Sequence, residues 1–182
     1  MKINIFPLRT LLVLAATGLS VPTITQATDG TVNFTGEIIA DACQVDSASQ
    51  NLNVNLGKVA ATSFSSSGAK SSPTAYKITL SSCPESATGV TIKYDGNANA
   101  TNPSLLKLDP VAAPGTAASG VGIEIADATG TIIPLQTASA VFPVNSADNT
   151  AILNFVARYV STTATVTPGI ANGTSQFTLN YQ

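Results

Sequence analysis

The chain has 182 residues, a formal net charge of −2 and only 10% charged residues. With no basic field to hold phosphates, nucleic acid is not expected as a partner. It contains no His and no Trp, which removes the usual base of Ser and Cys nucleophile sites and the commonest transition-metal ligand. Only three of the acidic residues are Glu (Glu37, Glu85, Glu124), and most Asp lie in turn-like contexts, which leaves little for a carboxylate-pair hydrolase. No enzyme activity, metal or cofactor is expected. Aromatics are few, at 5%, and the apolar content comes from Val, Ile, Leu and Ala among many Thr and Ser. That is the composition of β-sheet rather than helix.

Residues 1–27 carry Lys2 and Arg9, then the apolar run Leu11–Ala16, then Pro22 and small residues ending at Ala27. This is the pattern of a secretory signal peptide with a cut after Ala27. A membrane anchor is the alternative, but the apolar run is short for a bilayer span. About 155 residues remain, enough for one domain with a real core. Export agrees with the cysteines. Cys43 and Cys83 are the only pair, and in an oxidising compartment they are expected to be bridged. Closing a loop of about 40 residues stabilises by roughly 4 kcal/mol in the chain-entropy account.

The first mature stretch, 28–39, alternates. Thr28, Gly30, Val32, Phe34 and Gly36 fall on one face, and Asp29, Thr31, Asn33, Thr35 and Glu37 on the other, as in a strand with one wet side. Gly30 has no side chain, so another surface can approach it closely. Further short strands follow at Leu52–Leu56, Tyr76–Leu80, Val90–Tyr94, Leu105–Leu108, Val121–Ile125 (with Glu124 outward), Thr131–Ile133 and Val141–Val144. The strongest run is 151–160, apolar on both sides, as in a strand covered on both faces or one at a sheet crossing. Pro134 and Pro143 interrupt or end their segments. The last strand is 175–182, with Phe177, Leu179 and Tyr181 on one face. No helical period is sustained and no repeat occurs. Short strands, intervening turns and one bridge predict an all-β antiparallel sandwich.

The sequence stops on a strand and begins with an alternating segment of few obvious uses inside a compact domain. An open edge is a template for pairing with another chain, and main-chain hydrogen bonds with alternating side chains would supply adhesion and register.

The segments GTVNFTGEII at 30–39, Cys43, Cys83, FVARYV at 155–160, Pro168-Gly169 and the ending FTLNYQ resemble, in order and spacing across the whole mature chain, a subunit of chaperone–usher fimbriae of the type 1 major pilin family. The resemblance implies an incomplete immunoglobulin-like β-sandwich, a six-stranded pilin fold lacking the last strand. It divides the chain into a donor-strand extension at 28–37 and a pilin domain at 38–182. Thr28, Gly30, Val32 and Phe34 become donor side chains entering a neighbour's groove. Phe177, Leu179 and Tyr181 become the chaperone-contacting C-terminal strand, with Gln182 its terminal anchor. Gly169 takes the place of the family's glycine fourteenth from the end, and Tyr181 that of its penultimate tyrosine. With a cut after Ala27, only Thr28 and Asp29 precede Gly30, a short extension. The implied partners are identical or related pilin subunits, a periplasmic chaperone and an outer-membrane usher. The implied destination is the extracellular fimbrium on the cell surface, reached through the periplasm. A minor adaptor subunit and a sugar-binding adhesin module are the alternatives. For single residues, the plainer readings are that Val32 and Phe34 are core of their own domain, Tyr181 an edge aromatic and Gly169 part of a turn.

Overall fold

The structure is a computed structural model, described over residues 30–36, 38 and 42–182. The expected signal peptide, 1–27, and Thr28 lie outside the described residues. The chain divides into a unit ending at Ile38 and a unit from Ile39 to Gln182.

The second unit is almost wholly β. Its strands are β1 (Gln44–Val45), β2 (Thr74–Ser81), β3 (Gly89–Asp95), β4 (Val121–Asp127), β5 (Phe142–Pro143), β6 (Ala151–Ser161) and β7 (Gln176–Tyr181). The helical content described is one turn of α-helix, Ser47–Gln50, and one of 3-10 helix, Ala61–Ser63, both too short to leave a period in the sequence. One sheet runs β1-β2-β6-β4 and the other β5-β3-β7, and every strand pair is antiparallel. The two layers share one core. Ile78 and Leu80 of β2, Ile125 of β4, and Leu153 and Phe155 of β6 pack with Val90, Ile92 and Tyr94 of β3. Each comes from an alternating run, so one face of each strand supplies the core. Phe155 sits centrally, its ring 5.4 Å from Tyr76, 5.6 Å from Tyr94 and 5.3 Å from Phe142. The length of β6 reflects its pairing on both sides, with β2 and with β4.

Cys43 and Cys83 form a disulfide across a separation of 40 residues. It ties the entry to β1 to the exit of β2, beside the register Gln44↔Ser81.

Four expected strands change form. Leu52–Leu56 belongs to no strand. Leu105–Leu108 is a loop in which Leu106 and Ile123 exchange two main-chain hydrogen bonds, of 2.8 and 2.9 Å; Pro103 and Pro110 bracket it and keep it short. Thr131–Ile133 reduces to a bridge at Ile132 with Ala126, ended by Pro134. Val141–Val144 reduces to the two residues of β5, since Pro143 has no N–H to extend a ladder.

Glu124 is not outward in the sense of solvated, as alternation alone predicts, but 2% exposed. It lies on β4 directly opposite Arg158 of β6. Arg158 Nε donates to Glu124 Oε1 at 2.6 Å, and Lys70 Nζ donates to Oε2 at 2.8 Å. Lys70 arrives on a segment bridged to Val160. A buried carboxylate persists because two cations satisfy it. Glu124→Ala would leave Arg158, 19% exposed, short of its partner. We expect the substitution to cost about 1–3 kcal/mol, read as a lowered urea midpoint of the folded chain. An unchanged midpoint would mean that the ion group adds nothing net.

Candidate functional site

The two edges of β7 differ. On one side β7 pairs with β3, in the register Val90↔Tyr181 to Asp95↔Gln176. Gly89 and Gln182 exchange reciprocal main-chain hydrogen bonds of 3.2 and 2.9 Å. In an antiparallel ladder such pairs recur at every second residue. Asn180, Thr178 and Gln176 therefore direct their N–H and C=O groups toward β3, and Tyr181, Leu179 and Phe177 direct theirs to the far edge. On β3, Ile92 and Tyr94 face away from β7 accordingly, their carbonyls accepting from Ser139 and Gln136. Among the described residues no strand pairs with the far edge of β7.

Beside that edge lies a groove of about 1240 Å³. Its floor includes Tyr76 and Ile78 of β2, Tyr94 of β3, Ile123 and Ile125 of β4, and Ala157 of β6. One rim is formed by 50–57 and the other by 171–177. Residues 51–59 make no main-chain hydrogen bond to other main-chain groups among the described residues. Val54 and Leu56 turn inward onto the core instead. The 51–59 backbone, without a ladder, and the free edge at the start of β7 thus flank an apolar floor. None of the lining residues carries a formal charge.

One polar feature breaks the floor. The Tyr76 hydroxyl donates to that of Tyr94 at 2.9 Å. Burial pushes the Tyr76 hydroxyl up to about 12, with the Tyr94 hydrogen bond opposing in part. Burial raises Tyr94 as well, reinforced by the charge an ionised Tyr76 would bring and by their hydrogen bond.

The C-terminal residues expected at the site are on β7. Phe177, Leu179 and Tyr181 are half-buried and pack on the core. Tyr181 Oη donates to the Cys43 carbonyl at 3.3 Å. The Gln182 carbonyl oxygen accepts from the Thr88 N–H at 2.6 Å and from the Thr88 hydroxyl at 3.0 Å. Gly169 is glycine for a reason other than a turn. A Cβ there would meet the backbone of Ala117 and Ala118 at 2.5 Å. The main chain of Ile170 bonds Thr116 and Ala118 at 2.8 and 2.9 Å beside it, and Ala171, which follows, lines the groove. Gly30, Val32 and Phe34 belong to the first unit and are exposed, Val32 at 75% and Phe34 at 93%. The rim at 50–57, the tyrosine pair and the 171–175 segment were not singled out by sequence. The alternation of Leu52, Val54 and Leu56 was visible, but the lack of a partner strand was not.

Both tyrosines are protonated in the fold at pH values where free tyrosine ionises. Sign follows from linkage. A folded-state pKa raised above the unfolded value gives stability that is full below about pH 10 and lost as pH rises through about 12. Tyr76 alone would remove about 3 kcal/mol over that span. Denaturant titrations between pH 8 and pH 12 should show this decline, with a shallower one in Tyr76→Phe. Equal slopes in the two proteins would contradict the assignment.

The family model described as "Fimbrial protein" matches residues 32–182. A type-1 fimbrial protein subunit of Serratia marcescens is 40% identical over 187 residues, covering 100% of both chains. The crystal structure of a Burkholderia pseudomallei antigen and type I fimbria protein is 38% identical, with a TM-score of 0.58 over 84% of this chain and 97% of that one. The P pilus rod subunit, at 19% identity, shares the fold with a TM-score of 0.64 over 78% of this chain and 100% of its own. An open β7 edge and an uncharged groove thus occur in a sandwich whose matches span nearly its whole length, and the chain belongs to the fimbrial protein family.

Proposed function

We propose that this fimbrial subunit builds the shaft of a chaperone–usher fimbria by donor-strand complementation. The single observation that carries the reading is the unpaired edge of β7 beside an apolar groove with a second unladdered rim. In this reading residues 28–37 are the donor extension and 38–182 the acceptor domain. Thr28 leads, and Gly30, Val32 and Phe34 of one subunit enter the groove of the next. Burying Val32 and Phe34, both exposed in the described chain, contributes roughly 1.5–3 kcal/mol each. Each main-chain bond to Phe177, Leu179 or Tyr181 adds about 0.5–1.5 kcal/mol net, and ordering the incoming segment offsets much of the sum.

Before assembly the same edge needs cover. A periplasmic chaperone supplies it in this reading, lying along Phe177, Leu179 and Tyr181 and holding the carboxylate of Gln182. An outer-membrane usher then exchanges the chaperone's strand for a donor strand, after the signal peptide at 1–27 has directed export. The fimbrium on the cell surface is the product and supports adhesion.

A chain lacking Thr28 to Phe34 should still be recovered with the chaperone but should form no fibre. Normal fibres from that deletion would overturn strand donation. Gly30→Leu tests a narrower point. The tyrosine pair occupies part of the floor, and a bulky side chain delivered to a tight level should reduce fibre yield several-fold while leaving the periplasmic chaperone complex intact. Unchanged yield would remove the close-approach role of Gly30.

A further inference from the structure

The groove has an outer lip as well as an apolar floor, and its composition is unusual for an exposed edge. On one side Asn51, Asn53 and Asn55 alternate with Leu52, Val54 and Leu56, and all three Asn are exposed. On the other, exposed Gln176, Thr178 and Asn180 alternate with Phe177, Leu179 and Tyr181. Asn is disfavoured in strands, and open edges commonly carry Lys to repel partners. Neither lip does so. Of these six side chains only Asn55 has a hydrogen bond among the described residues, accepting from the Gly57 N–H at 2.9 Å.

The segment at 30–36 is divided in the same way. Gly30, Val32 and Phe34 share one face, and Thr31, Asn33 and Thr35 the other, with no charge on either. Seven residues of strand span about 23 Å, the reach of the 51–57 rim. Matched centre to centre, Asn33 falls level with Val54. Faces agree only after a shift of one residue, which sets Asn33 opposite Asn53 or Asn55, and Asn55 is already engaged.

We propose that Thr31, Asn33 and Thr35 of a second copy of this chain close a polar seam over the groove. In it Asn33 pairs with Asn53 on one lip, and the seam reaches Gln176 and Thr178 on the other. The inference rests on the strand-donation reading and deepens it. A one-residue slip of the donor turns Val32 and Phe34 to solvent and is rejected by the floor. A two-residue slip keeps the faces right, so the floor discriminates against it less. Along 51–55 a two-residue slip still leaves Asn33 opposite an amide, the free Asn51 or the engaged Asn55, so that lip adds adhesion, and the discrimination comes from the other lip, where Gln176, Thr178 and Asn180 differ in length and chemistry. The seam also favours a donor from the same chain, whose outward face is uncharged and rich in amide and hydroxyl groups.

The test uses the full chain, in which every subunit carries both halves of the seam. Fibres of Asn33→Asp combined with Asn53→Asp place like charges together, and fibres of Asn33→Lys combined with Asn53→Asp place opposite ones. Dissociation is followed in guanidinium-free detergent on heating, at low and at high salt. We expect the like-charge fibres to dissociate about two- to fivefold faster than the opposite-charge fibres, with the difference shrinking in high salt. The single variants, expected between the two, report any folding defect of each substitution. Asn33→Asp with Gln176→Lys gives an independent arm, expected to slow dissociation relative to Asn33→Asp alone. Equal rates for the two double variants and no slowing in the third would overturn the seam while leaving strand donation intact. Failure of strand donation itself would register differently, as normal fibres from the Thr28–Phe34 deletion.

Discussion

Backbone N–H and C=O groups set beside apolar surface need partners, and leaving them without any costs as much as losing the hydrogen bond itself. β7 meets half of this demand through β3. Phe177, Leu179 and Tyr181 carry the other half on the far edge, next to a groove floored by Ile78, Ile123 and Ile125. The edge at β4 is closed differently. Along β4, Leu106 and Ile133 supply main-chain bonds to Ile123 and Ile125, so that edge ends in the chain's own loops. The facing rim at 51–57 has no main-chain ladder at all among the described residues. Two such rims across one apolar floor are what a sandwich presents when another chain is to supply its strand.

The rest of the second unit holds that floor in shape. Phe155 gathers Tyr76, Tyr94 and Phe142 into one aromatic layer between the sheets. The strand that carries it, β6, is paired on both sides. Charge is kept elsewhere. Glu124, Arg158 and Lys70 form their group on β4, β6 and the segment before β2, while Ile123 and Ile125, flanking Glu124 in sequence, line the groove. Alternation along one strand therefore separates an ionic cluster from an uncharged binding floor by a single residue step.

Much of this was legible in the sequence where period 2 ran long. The strands at 74–81, 89–95, 121–127, 151–161 and 176–181 follow alternating runs, and the disulfide follows from two cysteines in an exported chain. Periodicity reads which face is apolar, and it does not read whether a neighbour is present. Leu52, Val54 and Leu56 alternate as well as any strand, yet their backbone has no ladder. Leu105–Leu108 is apolar because it plugs one edge of β4, a tertiary role with no local signature. Glu124 looked solvated because pattern treats a carboxylate as polar, and its burial depends on Arg158, 34 residues away, and on Lys70. Gly169 sat in a dipeptide that reads as a turn, while the structure gives it the closeness of two backbones.

The disulfide has a mechanical consequence. In a strand-linked fibre, tension leaves each subunit through its N-terminal segment and reaches Cys43 first. From there the covalent path divides, and Cys83 carries load directly into the end of β2, which is laddered along its length to β6. Everything between the two cysteines, including the two-residue β1 and the 50–57 rim, lies inside a closed loop that a pull cannot lengthen. Pulling on the N-terminal segment therefore cannot draw the 50–57 rim out as a longer span of chain while the bridge is intact.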